Sequence, residues 1–377
     1  MPLNSQSRFF ECFSEIEDPR VDRSKLHDLC EILFIVVVAF LSNANDFASV
    51  ERFARARILW LRRFLRLANG VPSHNTFNRV IGMLDPAQLE ACIFRWLSEL
   101  SQASNGRFVA IDGKTLRRSF DRATGTGALQ LVSAFAAANG VVLGQVAVDE
   151  ASNEIEAIPR LVELLQLDGA IVTIDAAGCQ KNIAADLVAK RADYVLAVKG
   201  NQPALHEAVA TEFERLLEDG ARELKTCTEV EQNSAGVEER RYHVAPAPTG
   251  SAFYGWKNVR SIGMVVRVRT SPDGAVNSAV RYYISSLEPK VKRFAAAVRG
   301  HWRIETTLHW SLDVTFAEDG SRLRKDDAAR NAAAFRRLTL SLLKLDTSSK
   351  DNLKGKRETA SWSLDALEAL ILGFSKK

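Results

Sequence analysis

Two short apolar runs, each closed by an aspartate, constrain this chain most. Phe108-Val109-Ala110-Ile111 ends in Asp112, and Ala170-Ile171-Val172-Thr173-Ile174 ends in Asp175. Runs this short and this apolar are predicted as strands buried on both faces. Strands of that kind belong to a sheet covered by helices, where ligand-binding groups gather beyond the carboxyl ends of strands. A single aspartate there more often starts a turn or caps a helix. Two at equivalent strand ends favour a site.

The rest of the chain supports an α/β reading. Asp28–Leu41 and Phe47–Leu67 are predicted helical, the second carrying Arg52, Arg55, Arg57, Arg62, Arg63 and Arg66. Asn69-Gly70-Val71-Pro72 marks a turn, Ser73 an N-cap for a helix over His74–Leu84, and Pro86 opens another helix to about Leu100. Ser101–Gly106 is a small, polar linker, and Arg107–Asp112 is a strand. Leu129–Ala137 and Val141–Val148 flank Asn139-Gly140, a hairpin signal. Helices over Ile155–Leu167, Gln180–Arg191 and Pro203–Glu218 then alternate with strands over Ala170–Asp175 and Tyr194–Val198. That order argues for a mixed sheet flanked by helices. Strands over Arg240–Val244, Val259–Val268 and Ala279–Ser285 read as a β-rich insertion at about 221–289. Helices resume over Lys290–Phe316 and Asp326–Leu345. A polar segment, Asp346–Thr359, precedes a short helix over Leu364–Phe374.

A third acid, Glu305, lies in Arg299-Gly300-His301-Trp302-Arg303-Ile304-Glu305. Two carboxylates at strand ends and a third on a distant helix can converge on two divalent metals and catalyse in-line displacement at phosphorus. Magnesium takes oxygen ligands and leaves positions open for phosphate and water. On a regular helix His301, Glu305 and His309 share a face. That face could address phosphate, hold zinc, or simply be solvated while Trp302 and Trp310 pack inward. No HExxH or HxH motif supports a hydrolytic zinc site. Lys114 and Arg117 follow Asp112 and could clamp phosphate oxygens, or lie on an ordinary surface turn. Arg118, Arg122, Lys181, Lys199, Arg299 and Arg303, then Arg322, Arg324, Lys325, Arg330, Arg336 and Arg337, could extend a backbone-binding surface. Asn201 and Gln202 could orient a ligand or cap a helix.

The bulk numbers exclude more than they assign. A net charge of +4 permits nucleic-acid binding without demanding it. The five cysteines are scattered with no CxxC pair, which argues against disulfides or a zinc knuckle and fits a reducing cytoplasm. No leader is expected at the amino terminus, and Ile32–Leu41 is too short to span a bilayer. No GxSxG nucleophile is present, and Gly113-Lys114-Thr115 lacks the upstream glycine of a phosphate loop.

With these residues in view, the chain resembles the DDE-type insertion-sequence transposases of the H-repeat-associated family. The resemblance rests on Ile111-Asp112-Gly113-Lys114-Thr115-Leu116-Arg117, on Val148-Asp149-Glu150 with Ser152-Asn153-Glu154-Ile155, and on Val172-Thr173-Ile174-Asp175-Ala176 with Gly178-Cys179-Gln180-Lys181. It continues through Tyr194-Val195-Leu196-Ala197-Val198-Lys199-Gly200-Asn201-Gln202 and His301-Trp302 with Ile304-Glu305, then Leu308-His309-Trp310, Leu312-Asp313-Val314 and Phe316. The early segment Gly70-Val71-Pro72-Ser73-His74 with Thr76-Phe77 fits as well.

The resemblance implies a ribonuclease H-like catalytic domain over 106–345 with the β-rich insertion before the third acid. It also implies an N-terminal helical, DNA-recognising domain over 1–105, leaving 346–377 as a tail with a short helix. By resemblance Asp112, Asp175 and Glu305 are the catalytic, metal-binding triad, for Mg²⁺ with Mn²⁺ as a substitute. Lys114, Arg117, His301, Trp302 and Arg303 are the expected DNA contacts. The implied activity is phosphodiester cleavage and strand transfer on double-stranded DNA at terminal inverted repeats, by a cytoplasmic homodimer with no membrane partner. The alternatives are an inactive, decayed or domesticated DNA-binding relative, and a structure-selective nuclease on the same fold. Arg118, Ala151, Ala177 and Thr306 depart from the family's usual Gly, Lys, Met and Asn. Val298, His301 and Leu312 occupy the other positions of the Tyr-Arg-Glu-Lys signature of related transposases.

Overall fold

The computed structural model of the protein describes residues 8–101, 108–120, 125–149, 152–220, 222–234 and 236–373. The expected linker beyond Ser101, together with Arg107, Arg122, Glu150, Ala151, the insertion boundary at Ala221 and the terminal Phe374, lies outside the described residues.

The chain begins with α1 (Arg8–Phe13), α2 (Leu29–Leu41), α3 (Phe47–Ala56), α4 (Ile58–Leu61), α5 (His74–Met83) and α6 (Pro86–Ser101). It continues through β1 (Phe108–Thr115), β2 (Gln130–Ala136), β3 (Val141–Ala147), α7 (Glu154–Leu164), β4 (Ile171–Ile174), α8 (Lys181–Ala189), β5 (Asp193–Val198) and α9 (Pro203–Glu218). Four long strands follow: β6 (Lys225–Asn233), β7 (Gly236–Pro246), β8 (Ser261–Thr270) and β9 (Val276–Ser285). After α10 (Val291–Arg303) come a π-helical turn over Ile304–His309, α11 (Trp310–Val314), α12 (Ala328–Leu345), α13 (Leu353–Trp362) and α14 (Leu364–Gly373).

Two compact units divide this chain: Met1–Ser104 with Gly113–Ala151 and Glu305–Lys377, and Asn105–Asp112 with Ser152–Ile304. The first is mainly helical. Its α2 is apolar nearly all round, with eleven of thirteen residues buried, as a central helix must be. Asp28 caps α2 by accepting from the Glu31 N–H, and Ser73, the N-cap the sequence predicts, caps α5 by accepting from the Thr76 N–H. β2 and β3 pair antiparallel around Gly140, whose φ of 71° suits the turn between them. α12 packs against α2, α5, α6 and β3. It carries Arg336 and Arg337 into the interior at 1% and 0% exposure, where Arg337 Nη1 donates to the buried Glu318 Oε1 over 2.9 Å.

The second unit is built on a mixed sheet in the order β1-β4-β5-β9-β8-β7-β6. β1, β4 and β5 run parallel, and β9, β8, β7 and β6 continue antiparallel. Adjacent residues of β9 reveal the layering, because side chains alternate across a strand. Tyr282 packs on His206 and Phe213 of α9, while Tyr283 packs on Phe294 of α10. Helices therefore cover both faces. The α10 side holds a core of Ile171, Val195, Tyr242, Val244, Val265 and Phe294, against which Phe108 and Trp302 pack.

The mixed α/β class and the β-rich insertion agree with the sequence reading, and four local details differ. β6 is an additional strand, Lys-Thr-Cys-Thr-Glu-Val-Glu-Gln-Asn, at the sheet edge. The helix expected over Phe47–Leu67 breaks at Arg57 into α3 and α4. α13 occupies what reads as a polar tail. The helix expected over Lys290–Phe316 is interrupted by the π-helical turn.

Candidate active site at the carboxyl ends of β1 and β4

β1 and β4 pair in register from Phe108 with Ile171 to Ile111 with Ile174. The next residue of each strand is Asp112 and Asp175, so the two carboxylates leave neighbouring parallel strands, whose spacing is about 4.8 Å, at the same level. Pleat alternation groups Phe108, Ala110 and Asp112 on one face, and Ile171, Thr173 and Asp175 on the same face. That is the face covered by α10, since Phe108 and Ile171 both join its core. β1 runs on to Thr115, so Asp112 sits within its strand rather than at its end.

A tight turn fixes Asp175. Its Oδ1 accepts the Ala177 N–H at 3.1 Å and the Gly178 N–H at 3.3 Å. A side chain at Gly178 would run into Ile174 and Ile158, so the turn closes only around glycine. Asn201 Nδ2 donates to Ala176 O at 2.6 Å, and Gln202 Nε2 donates to Cys179 O at 3.0 Å. These two side chains brace the turn, and Gln202 stands at the N-cap position of α9 without a side-chain cap hydrogen bond. The sequence signal for them is their adjacency after a strand end. Cys179 is buried, and burial, then the nearby Asp175 charge, pushes its thiol up to about 12, which removes it as a nucleophile.

His301, on α10, lies 3.2 Å by Nδ1 from Thr173 Oγ1, two residues before Asp175. Burial drives its pKa down to about 4, against the opposing pull of Asp175, so the imidazole is neutral near pH 7. Trp302 packs on the core and carries the Arg281 guanidinium 4.4 Å over its ring. Arg303 is exposed and has no ion pair among the described residues. Arg299 is bound to Glu229 and Glu231 of β6, so its charge is neutralised locally.

The first unit holds the remaining expected site residues. Glu305 is exposed on the π-helical turn, which breaks the regular spacing that would align it with His301 and His309. Lys114 is only 8% exposed, and its Nζ contacts Asp313 at 2.8 Å and Asp319 at 3.2 Å. Arg117 is 81% exposed and reaches Asp319 at 3.3 Å. The basic run after Glu305 does not form the continuous surface its density suggests. Arg330 pairs with Glu90, and Arg336 and Arg337 are internal.

Asp112 and Asp175 suit a hard divalent cation, which is commonly held by one or two carboxylates plus substrate phosphate. The Asp175 turn satisfies Oδ1 from the backbone and leaves Oδ2 for a ligand. Among the described residues no three His, Cys, Asp or Glu side chains form a ready-made metal cage. No helix among them is long and apolar enough to cross a membrane.

Residues 103–342 match the family described as "Transposase DDE domain", and residues 10–97 match the family described as "DDE_Tnp_1-associated". The chain is 37% identical to "Putative transposase YncI" of Escherichia coli O157:H7, over 96% of this chain and 94% of the relative. It is 33% identical to "H repeat-associated putative transposase YhhI" of Escherichia coli K12, over 97% and 98% of the two chains. Among solved structures, a piggyBac transposase synaptic complex with hairpin DNA aligns with a TM-score of 0.42 at 11% identity, covering 99% of this chain and 78% of that one.

Proposed function

This chain belongs to the DDE-domain transposases, with H-repeat-associated relatives, and from that premise we propose that it cuts and rejoins DNA at the ends of an insertion sequence. The observation that carries the reading is the register of β1 and β4, which brings Asp112 and Asp175 side by side.

Asp112 and Asp175 would hold the divalent metal, and the family resemblance names Glu305 as the third acid. Bound there, Mg²⁺ or Mn²⁺ would supply Lewis-acid polarisation of the scissile phosphate and activation of water or a 3′-hydroxyl. The chain's own contribution is positioning. The Ala177 and Gly178 N–H groups orient the Asp175 carboxylate. The neutral His301, hydrogen-bonded to Thr173 two residues before Asp175, adds no charge that would compete with a cation. Arg117 and Arg303, both exposed, are the phosphate contacts, where a guanidinium can grip two oxygens at once. Lys114 instead ties the chain just after Asp112 to Asp313 and Asp319, beyond Glu305. Trp302, partly buried against the α10 core, supports the site from within its unit.

The partner is double-stranded DNA, engaged by a homodimer on paired ends in the cytoplasm. Residues 1–105 serve recognition and 106–345 chemistry. The test is a labelled duplex carrying the DNA that flanks the gene, incubated with Mg²⁺ or Mn²⁺. A discrete nick at the element end, lost with EDTA and in Asp175→Ala, is expected. Salt-sensitive binding without any cut would replace this reading with that of an inactive DNA-binding relative.

A further inference from the structure

Positive charge is concentrated in one stretch of this chain. Residues 47–84 hold seven arginines against the single acid Glu51, a net of +6 in a chain of net +4, so everything else sums to −2. Arg52, Arg62, Arg66 and Arg79 are exposed and have no ion pair among the described residues. Such a local excess is the electrostatic footprint of a polyanion partner.

Glu51 couples the two helices of this stretch. Its Oε2 accepts the His74 N–H at 2.7 Å and lies 2.8 Å from His74 Nδ1, while its Oε1 pairs with Arg55. The start of α5 is thereby fixed against α3. α5 is amphipathic: Phe77, Val80 and Ile81 are buried, and His74, Asn75 and Arg79 face solvent. Asn75 and Arg79 stand one helical turn apart on that stripe. Asparagine and arginine are the side chains that pair bidentately with adenine and guanine edges in the major groove. Arg52, on the solvent side of α3, is suited to the phosphates beside it.

We propose that α5 is the base-reading helix of a duplex-DNA surface, with α3 supplying the phosphate contacts. The assignment rests on the transposase reading and adds to it the element that selects the DNA ends. Asn75 and Arg79 determine sequence preference; Arg52 contributes affinity alone.

The test measures binding of the full chain by fluorescence anisotropy to two duplexes, one carrying the element's end and one of scrambled sequence, without divalent metal. Asn75→Ala and Arg79→Ala are expected to weaken end binding about 10- to 100-fold and leave scrambled binding within about threefold. Arg79→Lys keeps the charge and is expected to lose the preference as well. Arg52→Ala is expected to weaken both duplexes alike and lower the salt slope by about one. Thermal unfolding identifies any variant that fails to fold, and the lysine variant then carries the test. End binding unchanged in the α5 variants, or an equal loss on both duplexes, overturns the base-reading role. If the wild type still nicks the end duplex, the transposase reading survives that outcome. A wild type that neither prefers nor cuts the end duplex overturns both.

Discussion

Gly178 decides whether Asp175 can stand where it does. Its missing side chain lets the turn close over Ile174 and Ile158, which delivers the two N–H groups to the Asp175 carboxylate. Gly178→Ala is expected to destabilise the protein by about 1–3 kcal/mol in urea unfolding, as an overpacked interior does. Cleavage should fall further than the lost stability explains, because the carboxylate is displaced. At this scale the sequence was legible in part. Asp112 and Asp175 could be read from the apolar runs before them, although β1 continues past Asp112 to Thr115 and only β4 stops before its aspartate. The bracing by Asn201 could not, because its partner Ala176 is 25 residues away and only the fold joins them. The ion pairs of Lys114 were hidden for a related reason. Its neighbours in sequence suggest a phosphate clamp, and its neighbours in space are two carboxylates.

Elements were legible where one face is apolar and obscure where polar side chains do the packing. β6 alternates without an apolar face and is paired on one side only, so no periodicity announced it. α13 reads as a polar tail because Lys356 and Arg357 are buried. Their cationic heads are satisfied by main-chain carbonyls of Leu343, Phe40 and Ala44. The same principle explains the inward arginines of α12. Glu318 is the buried counter-charge of Arg337, so Glu318→Ala strands that arginine and is expected to cost about 3–5 kcal/mol in chemical denaturation. In the β-rich insertion, burial and then Arg241 hold the pKa of His243 below its usual 6.5. The unfolded chain takes up a proton below pH 6.5 that the folded chain resists, so this residue's contribution to stability is full above that pH and is lost as pH falls. His243→Gln should flatten the decline in unfolding midpoint between pH 7 and pH 5.

Across the whole chain, the two family matches follow the sequence, 10–97 and then 103–342, whereas the compact units do not. Asp112 closes one segment of the second unit, and Glu305 opens the last segment of the first. Glu305 is singled out by its His-, Trp- and Arg-rich segment, and its role as the third acid rests on resemblance, since no local pattern ties an exposed glutamate on a π-helical turn to two strands. The most direct measurement is single-turnover nicking of the end duplex by the wild type, Asp112→Asn, Asp175→Asn and Glu305→Gln, with binding to the same duplex measured alongside. If the three acids act as one metal-binding set, each substitution should remove cleavage by about a thousandfold or more while binding stays within about threefold, as happens when residues work as a unit. Near-normal nicking by any one of the three would contradict its place in the set, and in Asp112→Asn or Asp175→Asn it would contradict the site itself.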